Sequence, residues 1–239
     1  MRMDQRTDGF MPASASADQM AAVEKRFIGR VFRWMTLGLG LSGIIAFAVA
    51  TSPEAQQLIF GNRLVMYGLL GLELVMVFSF SAVARRASAP VVGALFLSYA
   101  AVNGLTLSVI FMVYTASSIA NVFFVSTGAF GAMSLFGAVT KRDLTSVGSF
   151  CMMGLFGVII ASIVNMFVHS GPMGFIISCA GVVVFVGLTA YDTQKLKALA
   201  HEGASEDAES KLAMYGALIL YLDFVNLFLQ LLRLFGKKR

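Results

Sequence analysis

At 239 residues, with 58% hydrophobic residues, 13% charged residues and a net charge of +5, the chain carries about half the charged share of an ordinary globular domain, which is roughly 25%. Its mean hydropathy is +0.80. These values exclude a soluble domain and leave an all-α polytopic membrane protein, and nothing in the chain points to a nucleic-acid partner or a cofactor.

The first segment, 1–24, reads as a disordered tail. Its leading part, 1–19, is rich in Ser, Ala, Asp and Gly, lacks apolar periodicity and buries too little surface to offset its ordering entropy. It has no charged-then-apolar-then-small pattern of a cleaved signal, so the first spanning helix is expected to direct insertion itself. From residue 25 to 239 the chain reads as one membrane domain. A spanning helix needs about 20 mostly apolar residues. That rule predicts spans over 31–50, 64–84, 90–113, 119–139, 147–168, 173–192 and 212–235, joined by short links, of which only 193–211 is polar over any length.

On the first span Gly38, Ser42, Ala46 and Ala50 form a stripe of small residues at four-residue spacing, which lets a neighbouring helix backbone approach closely. The second carries Glu73 near mid-membrane and ends on Arg85 and Arg86. Asn103, Thr106 and Ser108 on the third, and Asn226 on the seventh, put neutral oxygens at membrane depth, where interhelical hydrogen bonding is their usual role. Cys151 and Cys179 lie in apolar segments without metal-ligand spacing and read as small buried hydrophobes. Asp192 ends the sixth span, in a helix expected to continue to about Ala200, and Asp223 sits well inside the seventh.

A carboxylate at mid-bilayer costs roughly 2.5 to 3.5 kcal/mol on the lenient insertion scale, so Glu73, Asp192 and Asp223 are the first candidates for function. Spans six and seven are antiparallel neighbours, and counted back along them from their shared loop Asp192 and Asp223 fall at depths of roughly 12 and 17 Å. The two carboxylates can therefore meet, titrate as one coupled unit and contact Ca2+. The alternative is that each aspartate separately caps a helix or pairs with a nearby Arg, Lys, Tyr or Asn. Arg85 or Arg86 is the candidate for a latch that closes on Asp192, and lipid headgroup anchoring is the competing role for these arginines.

Lys and Arg crowd one side of this topology: six precede residue 34, and Arg85, Arg86, Lys141, Arg142, Lys195, Lys197 and Lys211 follow in the links. The opposite links hold Arg63. A cytoplasmic N-terminus follows from the positive-inside rule. Arg233, Lys237, Lys238 and Arg239 break the pattern, so the last segment either crosses against the rule, the preferred reading, or re-enters without crossing.

Four stretches resemble the Bax inhibitor (transmembrane Bax-inhibitor-motif) family: Phe130-Gly-Ala-Met-Ser-Leu-Phe-Gly-Ala-Val-Thr-Lys-Arg-Asp-Leu144, Asn103-Gly-Leu-Thr-Leu-Ser108, Ala190-Tyr-Asp-Thr-Gln194 and Tyr221-Leu-Asp-Phe-Val-Asn-Leu-Phe228. The resemblance covers roughly residues 25 to 236. It implies a seven-helix bundle with the seventh helix central, a pH-sensitive calcium leak, a di-aspartyl sensor on Asp192 and Asp223, and an arginine latch on Arg85 or Arg86. The short tail and compact loops are similar to bacterial members, some of them described as modulators of a membrane-bound protease, which implies an inner-membrane location.

Three function classes follow. The favoured one is a leak channel passing Ca2+ under control of H+, since Ca2+ takes hard oxygen ligands such as carboxylates and carbonyls. The second is a non-transporting regulator that binds a membrane-bound protease or other partner, with the tail as its handle and the aspartates only fixing helix packing. The third, an intramembrane aspartyl protease, is disfavoured because no glycines flank Asp223 and no later helix carries Pro-Ala-Leu. Without a nucleotide loop, nucleophile elbow or zinc motif, the chain reads as a non-enzyme.

Overall fold

A computed structural model of the chain describes residues 13–201 and 205–239, with side chains from residue 19 onward. Among the described residues there are nine helices: α1 (Ala13–Thr51), α2 (Pro53–Phe60), α3 (Arg63–Arg86), α4 (Ala89–Leu107), α5 (Val109–Val113), α6 (Ala116–Val139), α7 (Thr145–Val168), α8 (Gly171–Leu199) and α9 (Glu206–Phe235). Seven segments are long and apolar enough to cross a membrane, with α4 and α5 together making one of them.

Two boundaries differ from those predicted. Residues 13–24 are helical rather than part of a disordered tail. This stretch is rich in Ala, the best helix former, and extending an existing helix is far cheaper than nucleating one. Residues 1–12 lie outside the described residues. The predicted third span breaks at Ser108, whose hydroxyl donates to the Leu105 carbonyl at 2.6 Å. A serine that bonds its local backbone competes with the helical ladder, so the helix restarts as α5.

α9 is the axis of the bundle. It packs against α8, α1, α6, α4 and α3. Of its apolar window 67% is buried, against 6% for α3, which leaves most of its surface to lipid. The seventh span is central, as the family resemblance implies.

Its two ends decide whether it crosses. At the start, Asp207 accepts a hydrogen bond from the Ala89 backbone at 3.0 Å and Lys211 donates to the Ala87 carbonyl at 3.2 Å, both at the α3–α4 turn. At the other end Lys237 and Arg239 make backbone hydrogen bonds of 3.0 Å with Thr115 and Val113, at the α5–α6 junction. Those junctions lie at opposite ends of the same span, so α9 runs the full thickness. Its terminal cations therefore sit on the face opposite the N-terminal arginines.

Close packing of α6 on α8 depends on one glycine. A Cβ added at Gly137 would collide with the Ala190 carbonyl oxygen, whereas one added at Gly131 on the same helix meets open space. Gly137→Ala is expected to force α6 off α8 at a cost of about 1–3 kcal/mol. Thermal melting in detergent should show a clear drop for this variant and little change for Gly131→Ala.

Candidate functional site

The antiparallel pairing of α8 and α9 brings together the side chains of Asp192 and Asp223, which lie in hydrogen-bonding contact. Asp223 is buried on α9, while Asp192 is half-buried on the last membrane turns of α8. Asp223 Oδ2 is buried, and no N–H or hydroxyl donor reaches it. Nearby hydroxyls do not supply one, because Thr189 and Thr193 donate to the Phe185 and Thr189 carbonyls of their own helix, each at 2.7 Å. Two carboxyl groups in contact must share a proton or hold a cation between them.

Gln194 steadies this end of α8. It accepts from the Leu144 backbone at 2.9 Å and donates to the Arg142 carbonyl at 2.8 Å, which ties the α6–α7 turn to the helix beside Asp192. The cation acting on Asp192 is Lys195, one turn along, whose ammonium lies 5.9 Å from the Tyr191 ring centre. Arg85 and Arg86 are elsewhere. Both are exposed at the end of α3, and Arg85 donates to Ser81 on its own helix at 3.3 Å. The structure does not bring either arginine to Asp192.

Glu73 belongs to a second cluster, built on α3, α4, α9 and α1. Its carboxylate accepts from Thr106 Oγ1 at 2.6 Å and from Asn103 Nδ2 at 3.3 Å. Asn103 Oδ1 accepts in turn from the Tyr221 hydroxyl at 2.8 Å. With its proton given to Asn103, that hydroxyl accepts from Ser42 Oγ at 2.6 Å, and the Ala100 carbonyl, 2.7 Å from Ser42 Oγ, is the competing acceptor for the same serine proton. The small-residue stripe therefore does two things: Gly38 admits the rings of Phe96 and Tyr221, and Ser42 terminates a polar chain. Glu73, Asn103, Thr106, Asn226 and Arg233 also line a cavity of about 490 Å³ between α3, α4 and α9.

Sequence reasoning placed Asn103, Thr106, Ser108 and Asn226 as interhelical hydrogen bonders; the first two reach Glu73, whereas Ser108 and Asn226 donate to the Leu105 and Leu222 carbonyls of their own segments, and Tyr221, which joins Asn103 to Ser42, was missed. The available signal was its position two residues before Asp223, which sets the two side chains on nearly opposite faces of α9. Among the described residues no group of three or more His, Cys, Asp or Glu side chains converges. A Ca2+ ion meeting Asp192 and Asp223 would thus complete its shell with neutral oxygens or water.

The four stretches singled out in the sequence hold these contacts: Gly137 under α8, Asn103 and Thr106 on Glu73, Asp192 with Gln194, and Tyr221 with Asp223. A family model described as "Inhibitor of apoptosis-promoting Bax1" matches residues 24–239. The chain belongs to the Bax inhibitor family. Among its relatives, the inner membrane protein YbhL of Escherichia coli is 46% identical over 230 residues, which cover 95% of this chain and 98% of that protein. A Borreliella burgdorferi protein is 41% identical over 92% of this chain and 96% of its own length. A Caulobacter vibrioides protein is 39% identical over 96% and 95%. Family membership and seven apolar helices make this an integral multi-pass membrane protein.

Tyr221→Phe removes the hydroxyl that joins Asn103 to Ser42 while keeping the ring edge-to-face with Phe96 and Tyr99. Leaving the buried Asn103 oxygen unpaired costs about 1–3 kcal/mol. The variant should unfold at lower temperature in detergent, and its Ca2+ flux, where present, should keep the wild-type pH dependence.

Proposed function

We propose that this Bax inhibitor family member is a pH-sensitive cation leak, passing Ca2+ and gated by the Asp192–Asp223 pair. The observation that supports the reading is the contact of two carboxyl groups, one of them buried, on adjacent helices of the membrane core. Stability does not account for them, because apolar residues there would avoid the cost of burial. By the positive-inside rule the N-terminus is cytoplasmic. The name of the E. coli relative supports an inner-membrane location.

Protonating the pair has two opposed effects. It removes the negative charge that a latching cation holds, which favours opening, and it removes the anionic oxygens that attract Ca2+, which disfavours permeation. Flux into liposomes loaded with a Ca2+ dye should therefore peak at an intermediate value between about pH 5 and 8.5, bracketed by the two titration steps of the pair. Asp192→Asn and Asp223→Asn keep the side-chain shape and remove the titration, so each should flatten most of this profile while the protein still inserts. Unchanged profiles in both variants, or a flux that rises or falls steadily over the whole range, would sink the reading.

The latch is the second element of this proposal. Arg85 borders a cleft with Lys211 and Tyr215 of α9, so to close on Asp192 it must leave Ser81 and pass across α9. If it does, neutralising the correct arginine raises basal flux at high pH, where the carboxylate is charged, and the other arginine has little effect. Small, equal effects from Arg85→Gln and Arg86→Gln would assign both to headgroup anchoring.

A regulator of a membrane-bound protease is the alternative. Its supporting observation is the start of α1: the 39-residue helix is about 58 Å long, and ahead of the Glu24 contacts with Lys197 and His201 its residues 19–22 are exposed. Absence of flux from purified protein at every pH, together with recovery of a protease complex that depends on residues 1–19, would reverse the ranking.

A further inference from the structure

Among the described residues three buried side-chain oxygens have no hydrogen-bond partner: Ser134 Oγ, Asp223 Oδ2 and Gln230 Oε1. Two of them are on α9. Seven residues apart, Asp223 and Gln230 share one face of the helix, separated by two turns or roughly 10 Å. That face meets α8. Asp223 touches Asp192, and a Cβ added at Gly181 would come within 2.8 Å of Gln230 Cδ and Cγ and 3.0 Å of Nε2. The carboxamide thus rests on α8 backbone that any other residue at position 181 would cover.

Packing alone does not explain this glutamine. An unpaired buried carbonyl oxygen costs about 1–3 kcal/mol, and methionine fills the same length of space without the penalty. Gln230 is flanked by Leu229 and Leu231 in an otherwise apolar turn. Immediately beyond it the surroundings change. Ser178, one turn before Gly181, and Arg233, one turn after Gln230, line a cavity of about 730 Å³ with Ser162, Asn165 and His169, at the end of the bundle opposite the N-terminus. Along the α8–α9 seam the order is therefore Asp192, Asp223, Gln230 and then this cavity.

The geometry points to Gln230 Oε1 as a buried oxygen station that binds water, and with it a partly hydrated cation, on a route from the Asp192–Asp223 pair to that cavity, with Gly181 holding the carboxamide in place. The cation part rests on the leak reading given above, and the water site does not. A buried water is held by otherwise unsatisfied polar groups, and Asp223 Oδ2 and Gln230 Oε1, too far apart to share one, are two such groups on one line, each the anchor of its own water. An amide oxygen also replaces hydration water around a hard cation at little electrostatic cost.

The test has two arms. A high-resolution experimental structure of the purified wild type should show solvent or ion density within hydrogen-bonding distance of Gln230 Oε1, and Gln230→Met should lose it; a dry Gln230 in the wild type overturns the proposal whatever the flux. In Ca2+-loaded liposomes Gln230→Met should lower flux about fivefold or more, the equivalent of roughly 1 kcal/mol at one station, without moving the pH of the maximum, because the pair is untouched. Gln230→Glu should raise Ca2+ permeation relative to Na+. Unchanged flux and selectivity in both variants overturn the station. Gly181→Ala, which displaces the carboxamide from the α8 side, should reproduce the loss and carries the test where Gln230→Met does not fold. A wild type that leaks at no pH refutes the leak reading, and the density at Gln230 then decides the water site by itself.

Discussion

Asp192 and Asp223 can touch only if α8 and α9 run antiparallel in one register, and much of the bundle follows from that register. Toward the N-terminal face, Gly216 of α9 admits Leu196 of α8; toward the opposite face, Gly181 of α8 admits Gln230 of α9. Both are close approaches that a Cβ would obstruct, and both fall on the line that the aspartate contact sets. In a membrane core there is no hydrophobic drive between helices, so such fits and polar contacts are what hold a pair together. A slip of one turn would separate the carboxyl groups and drive two glycine notches onto bulky side chains at once.

The same helix serves a second polar system on another face. Tyr221 reaches toward α4 and α1, joining Asn103 to Ser42 and, through Asn103 and Thr106, to Glu73 on α3. α3 has little buried surface of its own, and Glu73 is its main polar tie to the core. The aromatic packing of α6 completes the ring around the axis, with Phe123 on Phe224 and Phe228, and Phe130 on Phe224. These edge-to-face contacts are apolar and slide more readily than the hydrogen-bonded sides, so α9 is held tightly at α4 and α1 and more loosely at α6.

Much of this was legible in the sequence because the bilayer imposes a coarse rule: about 20 apolar residues make a span, and a carboxylate within one is conspicuous. The seven spans, the central seventh helix and the depth match of Asp192 and Asp223 came from length, spacing and the family motifs. Three features were less legible, each for a local reason. Helix propensity in the Ala-rich stretch 13–24 extends α1, which a burial argument undervalues. Ser108 breaks the third span through its own hydroxyl, an effect weaker than proline's and invisible to hydropathy. Tyr221, Ser42 and Gln230 are ordinary residue types whose importance lies in which helix they face, and facing is decided by the packing of non-adjacent spans. Charge counting along the loops argued against a seventh crossing, and the hydrogen bonds at both ends of α9 override it.

The two polar systems are mechanically joined because α9 is a continuous helix across the site. Tyr221 and Asp223 are separated by one residue, so a rotation or shift that re-forms the contact with Asp192 also moves the tyrosine hydroxyl. Hydrogen bonds of 2.6 to 2.8 Å at that hydroxyl leave little slack. A change in proton or cation occupancy between Asp192 and Asp223 must then be absorbed in one of two ways. Either α8 moves relative to a fixed α9, carrying Gln194 and the α6–α7 turn with it, or α9 moves and the Tyr221–Asn103–Glu73 chain gives way. α8 is the less constrained partner near the pair, since Thr189 and Thr193 spend their hydroxyls within their own helix and add no cross-links. The first route leaves the Glu73 cluster intact, so under the proposed leak function that cluster is the fixed wall beside a moving aspartate seam.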